Sequence, residues 1–416
     1  MEDLNEKARQ ILRNNDRGGY TVPTDGLYPY QWNWDSVFVA LGFATFDRER
    51  AWQELDTLFE AQWPDGMVPH IVFRVDEPTY YPGPSVWKAN NGPIPSSGIT
   101  QPPVAAIVIE ELGREDPARA TGFVEALDRW HQWFHDARDP DELGVIAVTH
   151  PWESGRDNLP DWDRPGDAID VSNVGEYTRR DTSLINTEMR PKKADYDRYL
   201  ALVQFGSACG WDQRKIAAEC PFFVADPGIT SILLRAEKSL HAMLQRAGQP
   251  ADHVAERIAR LEAGMERLWN DDANAYVTLD LRSGQQADGV TSASFLPLFA
   301  GVTAHKDALT NTLAAIAKHV THLVPSFDPR SPHFDHVRYW RGPAWAMVNY
   351  MIAQGFAESG EEAWASRIRS DTAKLMRTGG FAEYFSPIDG QGCGGGTFSW
   401  TAAIWLAWGL QELGEE

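Results

Sequence analysis

Apolar residues recur every three or four positions through about a dozen segments of this chain, which is the spacing of an amphipathic helix. Most of these segments are roughly 12 to 20 residues long. The predicted helices cover residues 35–46, 48–62, 102–113, 118–136, 195–208, 227–246, 251–269, 305–318, 343–357, 361–377 and 399–412. Strands do not alternate with these helices as they do in a parallel α/β sheet. The pattern therefore predicts an all-α protein.

Some helix ends also have sequence signals. Asp226 followed by Pro227 is typical of an N-cap and a first helical turn, and the apolar period that follows ends at Gly248. The pair Gly342 and Pro343 predicts the start of another helix.

Two long irregular stretches, 64–101 and 138–193, separate the helices and are rich in Pro, Gly, Asp and Trp. Loops of this length in a compact domain are usually functional. No change in composition marks a linker, so we expect residues 1–416 to form a single domain with loop insertions at these two places. About twelve helices in one closed arrangement predict an (α/α)6 toroid whose loops gather on one face. The sixfold count is an inference, since no short repeat is visible.

The net charge excludes some classes of partner. With 38 basic and 59 acidic residues the chain carries −21, which opposes nucleic acid and anionic membrane surfaces. No apolar run approaches the roughly 20 residues that span a bilayer. The charged first twenty residues and the odd, sparse set of three cysteines indicate a cytoplasmic protein with reduced thiols. A small molecule is the expected partner, and a homo-oligomer is compatible with the sequence.

Tryptophan is the most informative residue type, with 17 in the chain. Its apolar face suits helix packing and also the stacking of sugar rings. Several tryptophans, Trp32, Trp34, Trp152, Trp340 and Trp400, lie beside Gly, Pro or acidic residues where no helical period is present. We interpret these segments as loops that carry a site.

Two motifs supply candidate carboxylates. WESGRDNLPDWD, residues 152–163, holds four acidic residues between two tryptophans; it is either a surface acidic loop or the lining of a cleft. In GGFAEYFSPIDGQGCGGGT, Glu383 stands alone among aromatic residues, and the glycines let the backbone approach whatever Glu383 faces. The glycine-rich run lacks the Gly-Lys-Ser/Thr ending of a phosphate loop.

Two carboxylates in aromatic surroundings suit the cleavage of a glycosidic bond. One must be protonated to donate to the leaving oxygen, and the other must be ionised to activate water or to attack. Burial raises a carboxyl pKa and so favours the protonated form. A third carboxylate, Asp35, lies near the start of an apolar helix; it is an N-cap, an acceptor for sugar hydroxyls, or both.

Six ordered motifs resemble glycoside hydrolase family 63. They are YPYQWNWDSVFVALG, QWPDGMVPHIVF, SSGITQPPVAA, WESGRDNLPDWD, YWRGPAW and FAEYFSP with its GGGTFSWTAA ending. The resemblance covers nearly the whole chain and is strongest to bacterial mannosylglycerate and glucosylglycerate hydrolases. It implies an (α/α)6 barrel that cleaves α-glycosidic bonds with inversion of configuration.

The resemblance also implies roles for individual residues. Asp157 matches the general acid of the family and Glu383 its general base. Substrate-binding positions, on the sugar side or the glycerate side, are Tyr30, Trp32, Trp34, Asp35, Tyr81, Gln101, Trp152, Gly155, Arg190, Tyr196, Tyr339, Trp340 and Trp400. Hydrolysis by two carboxylates requires no cofactor and no metal, and the pair His333 and His336 has no third ligand at a helical or hairpin spacing.

A glycerate group requires a cation near its carboxylate, and arginine meets a carboxylate with two donors. The most basic stretch, TRRDTSLINTEMRPKKADYDRY, predicts Arg190 for this role, with Lys192, Lys193 or Arg179 as alternatives. The same stretch can also be read as a solvated loop balanced by its own acidic residues. Rival functions are the hydrolysis of a neutral disaccharide, as in trehalases, and a non-hydrolytic sugar-binding protein or epimerase on the same scaffold.

Overall fold

The computed structural model of the chain describes residues 3–410. Within that range twelve helices have eight or more residues. They are α1 (Leu4–Asn15), α2 (Asn33–Phe43), α3 (Arg48–Phe59), α4 (Ala105–Leu112), α5 (Val124–Arg138), α6 (Lys193–Ala208), α7 (Pro227–Arg246), α8 (Asp252–Gly264), α9 (Lys306–Ile316), α10 (Ala346–Glu358), α11 (Glu362–Gly379) and α12 (Ser399–Ala407). Shorter helices span Pro84–Trp87, Pro117–Gly122, Asp163–Gly166, Asp181–Leu184, Gln213–Glu219 and Leu296–Phe299.

The strands are two residues long and all their pairings are antiparallel. They are β1 (Gln31–Trp32), β2 (Ile71–Val72), β3 (Ala147–Val148), β4 (Val224–Ala225), β5 (Trp269–Asn270), β6 (Ala275–Tyr276), β7 (Leu279–Asp280), β8 (Gln285–Gln286), β9 (Tyr384–Phe385) and β10 (Gly392–Cys393). A four-stranded sheet has the order β3-β4-β7-β8, and three further pairs are β1-β2, β5-β6 and β9-β10. These short pairings fix loops and leave the helices to form the core.

Six helical elements contact one another in a closed circuit. In order, α2 contacts α4, α4 contacts α7, α7 contacts the short helix Leu296–Phe299, this helix contacts α10, α10 contacts α12, and α12 returns to α2. Every residue of α2 is buried, and α12 is buried from Ser399 to Leu406. A helix that is apolar all round needs protein on every side, which the circuit provides.

Other helices pack on the outside of this circuit. α3 lies against α2, α5 and α8 against α7, α11 against α10, and α1 against α12. These outer helices bury one face only: in α8 the buried residues are Val254, Arg257, Leu261 and Gly264. The result is two layers of helices, the inner one fully covered and the outer one amphipathic.

The predicted helical class is confirmed, and each of the eleven predicted segments contains a helix. The Asp226 cap is also confirmed, because its carboxylate accepts from the backbone N–H of Gly228 at 2.7 Å. The end predicted at residue 412 lies outside the described residues. None of the helices in the part of the chain that the structure describes is long and apolar enough to cross a bilayer.

Three details of the prediction are wrong. α1 was missed, although Leu4, Ala8, Ile11 and Leu12 place apolar residues on one face, because charged residues dominate the segment. The segment predicted as one helix at 118–136 is divided at residue 123. α10 begins at Ala346 and not at 343, since the backbone of residue 344 pairs with residue 385 instead of starting a turn.

Candidate active site

A cavity opens at one end of the helical circuit, where α2 and α12 begin. Twelve of the fifteen residues that the sequence predicts for the site line this cavity. They are Trp32, Trp34, Asp35, Gln101, Trp152, Gly155, Asp157, Arg190, Tyr196, Tyr339, Glu383 and Trp400. The stretches 64–101 and 138–193 both contribute to its wall. Residues that are up to several hundred positions apart therefore share one cavity.

Two predicted tyrosines do not line the cavity. Tyr30 is fully buried, donates its hydroxyl to the carbonyl of Glu77 at 3.2 Å, and packs edge-on against Tyr80, which does line the cavity. Tyr81 is half-exposed and stacks on Tyr177 with ring centroids 5.6 Å apart. In each case another tyrosine of the same short segment lines the cavity. An irregular loop has no period that fixes the direction of a side chain, so the sequence does not distinguish such neighbours.

Trp340 is the third predicted residue outside the wall. Its ring stacks on Trp345 with centroids 3.8 Å apart and planes within 3°. Its backbone N–H donates to the side-chain oxygen of Asn158 at 2.8 Å. Trp340 thus packs outside the cavity and holds the loop that carries Asp157. The adjacent Tyr339, which was also predicted, lines the cavity.

The prediction missed five polar or aromatic residues of the wall, namely Tyr28, His70, Tyr80, Asp181 and Phe398. Tyr28 and His70 belong to two of the quoted motifs, so a reading of those motifs residue by residue would have found them. Burial holds the pKa of His70 well below its usual range, and this side chain is therefore neutral at physiological pH. Asp181 has no such signal, since it lies in the most basic stretch and was treated as a counter-charge.

A tight turn brings Asp157 to the cavity. Gly155 has a φ of +67°, and a Cβ on it would lie 2.6 Å from the indole ring of Trp34. Only glycine allows the chain to pass so close to that ring. The preceding turn is held by the backbone N–H of Trp152, which donates to Nδ1 of His150 at 3.0 Å.

The surroundings of Asp157 favour its protonated form. Burial raises the pKa of Asp157 to about 7, with Arg190 opposing this effect and the negative charge of Glu383 adding to it. A carboxyl group with such a pKa still carries its proton in a large fraction of molecules at neutral pH. Asp157 can therefore donate a proton at the cavity wall.

Two further acidic residues of the 152–163 motif are internal, whereas Asp163 is partly exposed. Glu153 is 1% exposed and forms a bidentate ion pair with Arg138 at 2.5 and 3.1 Å. Asp161 is also buried and accepts from the hydroxyl of Thr278 at 3.2 Å. The surface-loop alternative for this motif is therefore wrong.

Glu383 is fully buried and is held at both carboxylate oxygens. The hydroxyl of Tyr28 donates to Oε1 at 3.1 Å, and Nη1 of Arg190 donates to Oε2 at 3.0 Å. Burial raises the pKa of Glu383, while Arg190 and Tyr28 oppose that effect. The indole N–H of Trp400 donates to its backbone carbonyl at 3.1 Å. These contacts leave the carboxylate fixed against the cavity wall.

The glycine-rich loop packs directly on Glu383. Gly394 has a φ of +73°, and a Cβ there would lie 2.2 Å from Oε2 of Glu383. The backbone N–H of Glu383 donates to the carbonyl of Gly395 at 2.9 Å. The glycines of this loop therefore let its backbone pass in contact with Glu383 itself.

Asp35 lies in the first turn of α2 but does not cap it. The N-cap position is Trp32, which makes no side-chain capping bond, so the N-cap alternative for Asp35 is wrong. Burial, followed by the charge of Glu383, raises the pKa of Asp35 well above its usual range. Asp35 is 3% exposed and lines the cavity, where its oxygens can meet a hydroxyl of a bound molecule.

Arg190 is the only lysine or arginine in the cavity wall among residues 3–410. It is 4% exposed, and its Nε donates to Asp181 at 3.0 Å in addition to its bond to Glu383. Of the alternatives, Lys192 and Lys193 are exposed and Arg179 pairs with Asp181 at 2.6 Å. The predicted cation therefore reaches the cavity, but it contacts a candidate catalytic residue there.

Most of the chain matches a known protein family. Residues 28–401 match the family described as the mannosylglycerate hydrolase MGH1-like glycoside hydrolase domain. The chain belongs to this glycoside hydrolase family. The predicted enzyme class is thereby confirmed, and so is the resemblance to family 63.

Individual members of this family are similar over almost their whole length. A mannosylglycerate hydrolase of Thermus thermophilus is 46% identical over 97% of this chain and 99% of its own. Glucosylglycerate hydrolase of Mycolicibacterium hassiacum is 35% identical, with 97% of both chains covered. The crystal structure of the family 63 mannosylglycerate hydrolase from a second strain of Thermus thermophilus, with Tris and D-glycerate, superposes with a TM-score of 0.94, at 45% identity, covering 98% of this chain and 100% of that one.

Proposed function

We propose that this enzyme is an inverting α-glycosidase that hydrolyses mannosylglycerate, glucosylglycerate or both to the free sugar and glycerate. The observation that carries the proposal is the juxtaposition, in one cavity, of Asp157 and Glu383 with one buried arginine. The named substrates of the similar enzymes support the glycerate group. They do not favour a neutral disaccharide.

In the proposed mechanism Asp157 is the general acid. Its proton passes to the glycosidic oxygen as the bond from that oxygen to the anomeric carbon breaks. Glu383 is the general base and takes a proton from a water molecule that attacks the opposite face of the anomeric carbon. The pKa of Asp157, raised by burial to about 7, suits the acid, and the two donors on Glu383 favour its ionised form.

The sugar subsite is proposed to lie between the aromatic rings of the wall. Trp32, Trp34, Trp152 and Trp400 supply apolar faces that suit the C–H surface of a pyranose ring. Asp35 supplies an acceptor for sugar hydroxyls. Because neighbouring packing already holds these rings in place, they need little reordering when the sugar binds.

The glycerate subsite is proposed to lie on the side of Arg190. Tyr196, Tyr339 and Gln101 line the same cavity and supply polar groups. A buried carboxylate requires a cation, and Arg190 is the only lysine or arginine that the described part of the chain places in the wall. The carboxylate of the substrate and the carboxylate of Glu383 would then both interact with the guanidinium of Arg190.

For the architecture we propose a single domain, 1–416, with the (α/α)6 toroid that the sequence predicts. The closed circuit of six inner helical elements supports the sixfold inner ring, and the packing of α3, α5, α8 and α11 supports an outer ring. The loop insertions near 64–101 and 138–193 build one face. We further propose that the enzyme acts in the cytoplasm on a small-molecule glycoside.

A parallel substrate screen tests the function. The purified full chain is incubated with mannosylglycerate, glucosylglycerate, glucosylglycerol and trehalose, and proton NMR follows the first anomer released. We expect cleavage of at least one glycerate, with the β-anomer appearing first, and no product with Asp157→Asn or Glu383→Gln in the same time. Cleavage of the neutral substrates alone would overturn the glycerate assignment, and early release of the α-anomer would overturn inversion.

A further inference from the structure

Three side chains form a closed triangle of hydrogen bonds at Glu383. Tyr28 donates its hydroxyl to Oε1 at 3.1 Å, and Arg190 donates from Nη1 to Oε2 at 3.0 Å. Arg190 also donates from Nη2 to the hydroxyl oxygen of Tyr28 at 2.5 Å. Each member therefore touches the other two, and the sequence prediction gave no role to Tyr28.

The chemistry of the three groups fixes the direction of these bonds. A guanidinium has donors only, so Arg190 must donate to the oxygen of Tyr28. The hydroxyl proton of Tyr28 is then free for the carboxylate, which in its ionised form only accepts. If Glu383 were protonated, its own proton would have to compete with one of the two donors. The triangle is thus satisfied when Glu383 is ionised.

Tyr28 is held so that its hydroxyl stays at this place. Its ring packs edge-on against Trp32 and Phe398, with centroids 5.2 and 5.9 Å apart. Its backbone N–H donates to the carbonyl of Thr24 at 3.3 Å. The ring is therefore clamped between two aromatic groups, and removal of the hydroxyl alone leaves that packing in place.

Contacts with neighbouring residues also fix the position of Arg190. Its Nε donates to Asp181 at 3.0 Å, its guanidinium lies 4.2 Å from the ring centre of Tyr339, and its backbone carbonyl accepts from Arg338 at 3.1 Å. A guanidinium held by a carboxylate and a ring face, on a backbone that is itself bonded, offers its Nη groups in one direction. Both donors to Glu383 thus come from preformed positions.

We propose that Tyr28 is a positioning residue for the general base: its hydroxyl, polarised by Arg190, orients Glu383 and keeps it ionised. This assignment rests on the proposed role of Glu383. It also gives Arg190 a task that does not depend on the charge of the substrate, since the guanidinium serves the base whether or not a glycerate is bound.

The remaining titratable groups that face Glu383 do not supply the same effect. They are Asp35, Asp157, Tyr339, Tyr384 and Cys393. Negative charge on any of them disfavours ionisation of Glu383. The base must be ionised to act, so activity is lost as the pH falls through its pKa, and removing a donor moves this acid limb upward.

The test is the pH profile of Tyr28→Phe, measured as kcat and kcat/KM with the glycoside that the wild type cleaves best in the parallel screen. A hydrogen bond to a charged group accounts for about a tenfold to hundredfold effect. We therefore expect kcat near neutral pH to fall by about that factor and the acid limb to move upward by about one pH unit. KM should change less than about threefold, because the ring that borders the cavity is retained.

Arg190→Lys provides a second variant, which keeps the charge but loses the fork that reaches both partners. It should move the acid limb in the same direction, and the shift in the double variant should be smaller than the sum of the two single shifts, since both act on Glu383. Tyr276→Phe is the matched control, because its buried hydroxyl has no hydrogen-bond partner among residues 3–410 and lies outside the cavity wall. Its profile should equal that of the wild type.

An acid limb that stays in place in Tyr28→Phe overturns the proposal, whatever happens to KM. Should that variant fail to fold in a thermal melt, an unmoved limb in Arg190→Lys overturns it equally. Failure of the proposed function looks different: the wild type would cleave none of the glycerates, and the profiles would then be measured on whichever other glycoside it cleaves.

Discussion

The substitution Gly394→Ala tests whether the enzyme depends on the fixed position of Glu383. The new Cβ would lie 2.2 Å from Oε2 and 2.6 Å from Cβ of Glu383. Ordinary carbon contacts begin near about 3.5 Å, so loop or carboxylate must move by more than about 1 Å. Movement of the carboxylate lengthens the hydrogen bonds from Tyr28 and Arg190, now 3.1 and 3.0 Å, beyond useful range.

A misplacement of about 1 Å near the chemistry costs about a hundredfold in rate, which corresponds to about 2.7 kcal/mol of transition-state free energy. The φ of +73° at Gly394 adds a strain of about 1–2 kcal/mol to the folded state of the alanine variant. We expect kcat for the glycerate substrate to fall about a hundredfold, whereas the melting temperature should fall by only a few degrees.

The control for this variant is Gly396→Ala in the same loop. A Cβ at Gly396 meets nothing within 4 Å, and its φ lies outside the left-handed region, so kcat should stay within about twofold of the wild type. Both variants are assayed by release of glycerate, with circular dichroism to follow unfolding. If Gly394→Ala keeps more than half of the wild-type kcat, the added methyl group does not displace the Glu383 carboxylate from its working position, and the reasoning from this contact is wrong.

Three further predictions concern the candidate acid Asp157, the turn at Gly155 and a buried ion pair between α7 and α8. Asp157→Asn should lower kcat by about a hundredfold or more on natural leaving groups, and wild-type kcat/KM should decline above about pH 7, where Asp157 loses its proton; a flat profile to pH 9 would contradict this role. Gly155→Ala, whose Cβ would lie 2.6 Å from Trp34, should reduce kcat at least about tenfold with little change in secondary structure by circular dichroism. Glu237→Gln should cost about 3 kcal/mol of unfolding free energy in urea at pH 7, because Arg257 loses its buried partner at 2.8 Å. Contacts with its neighbours outweigh burial and hold the pKa of Glu237 below its usual range. The stabilisation is therefore complete above the unfolded pKa of about 4.3 and is lost as the pH falls further. If the variant is less stable than the wild type by the same amount at pH 3 as at pH 7, the ion pair is not the source of the difference.

The sequence predicted the helices well, because a helix that buries one face has apolar residues every three or four positions. Asp157 and Glu383 were chosen from motifs; Asp157 follows a turn at Gly155, and the loop that carries Gly394 packs on Glu383, with a positive φ at both glycines. The sequence could not say which oxygen each carboxylate offers or what touches it. Those facts depend on tertiary contacts between segments that are far apart along the chain.

The choice between neighbouring side chains was beyond the reach of the sequence. In YPY, Tyr28 faces the cavity and Tyr30 packs behind it; in TYYPGP, Tyr80 faces the cavity and Tyr81 does not. Such loops have neither the period of a helix nor that of a strand, so alternation gives no guidance. Arg190 was predicted as the cation for a substrate carboxylate, but its bond to Glu383, 193 positions away, left no local trace in the sequence.

The contact that closes the circuit of inner helices joins α2 to α12, which are far apart along the chain, and this has a consequence for synthesis on the ribosome. The side chain of Asn15 donates to the carbonyl of residue 397 at 3.0 Å and to the hydroxyl of Ser399 at 2.9 Å. Tyr28 and Glu383 are separated by 355 positions. Loops this long must close before their contacts give any stabilisation. During synthesis the N-terminal part emerges first, so the apolar surface of α2 stays uncovered until α12 has left the exit tunnel. Completion of the inner layer is therefore a late event, and products that end before Glu383 have neither a covered inner layer nor the proposed base.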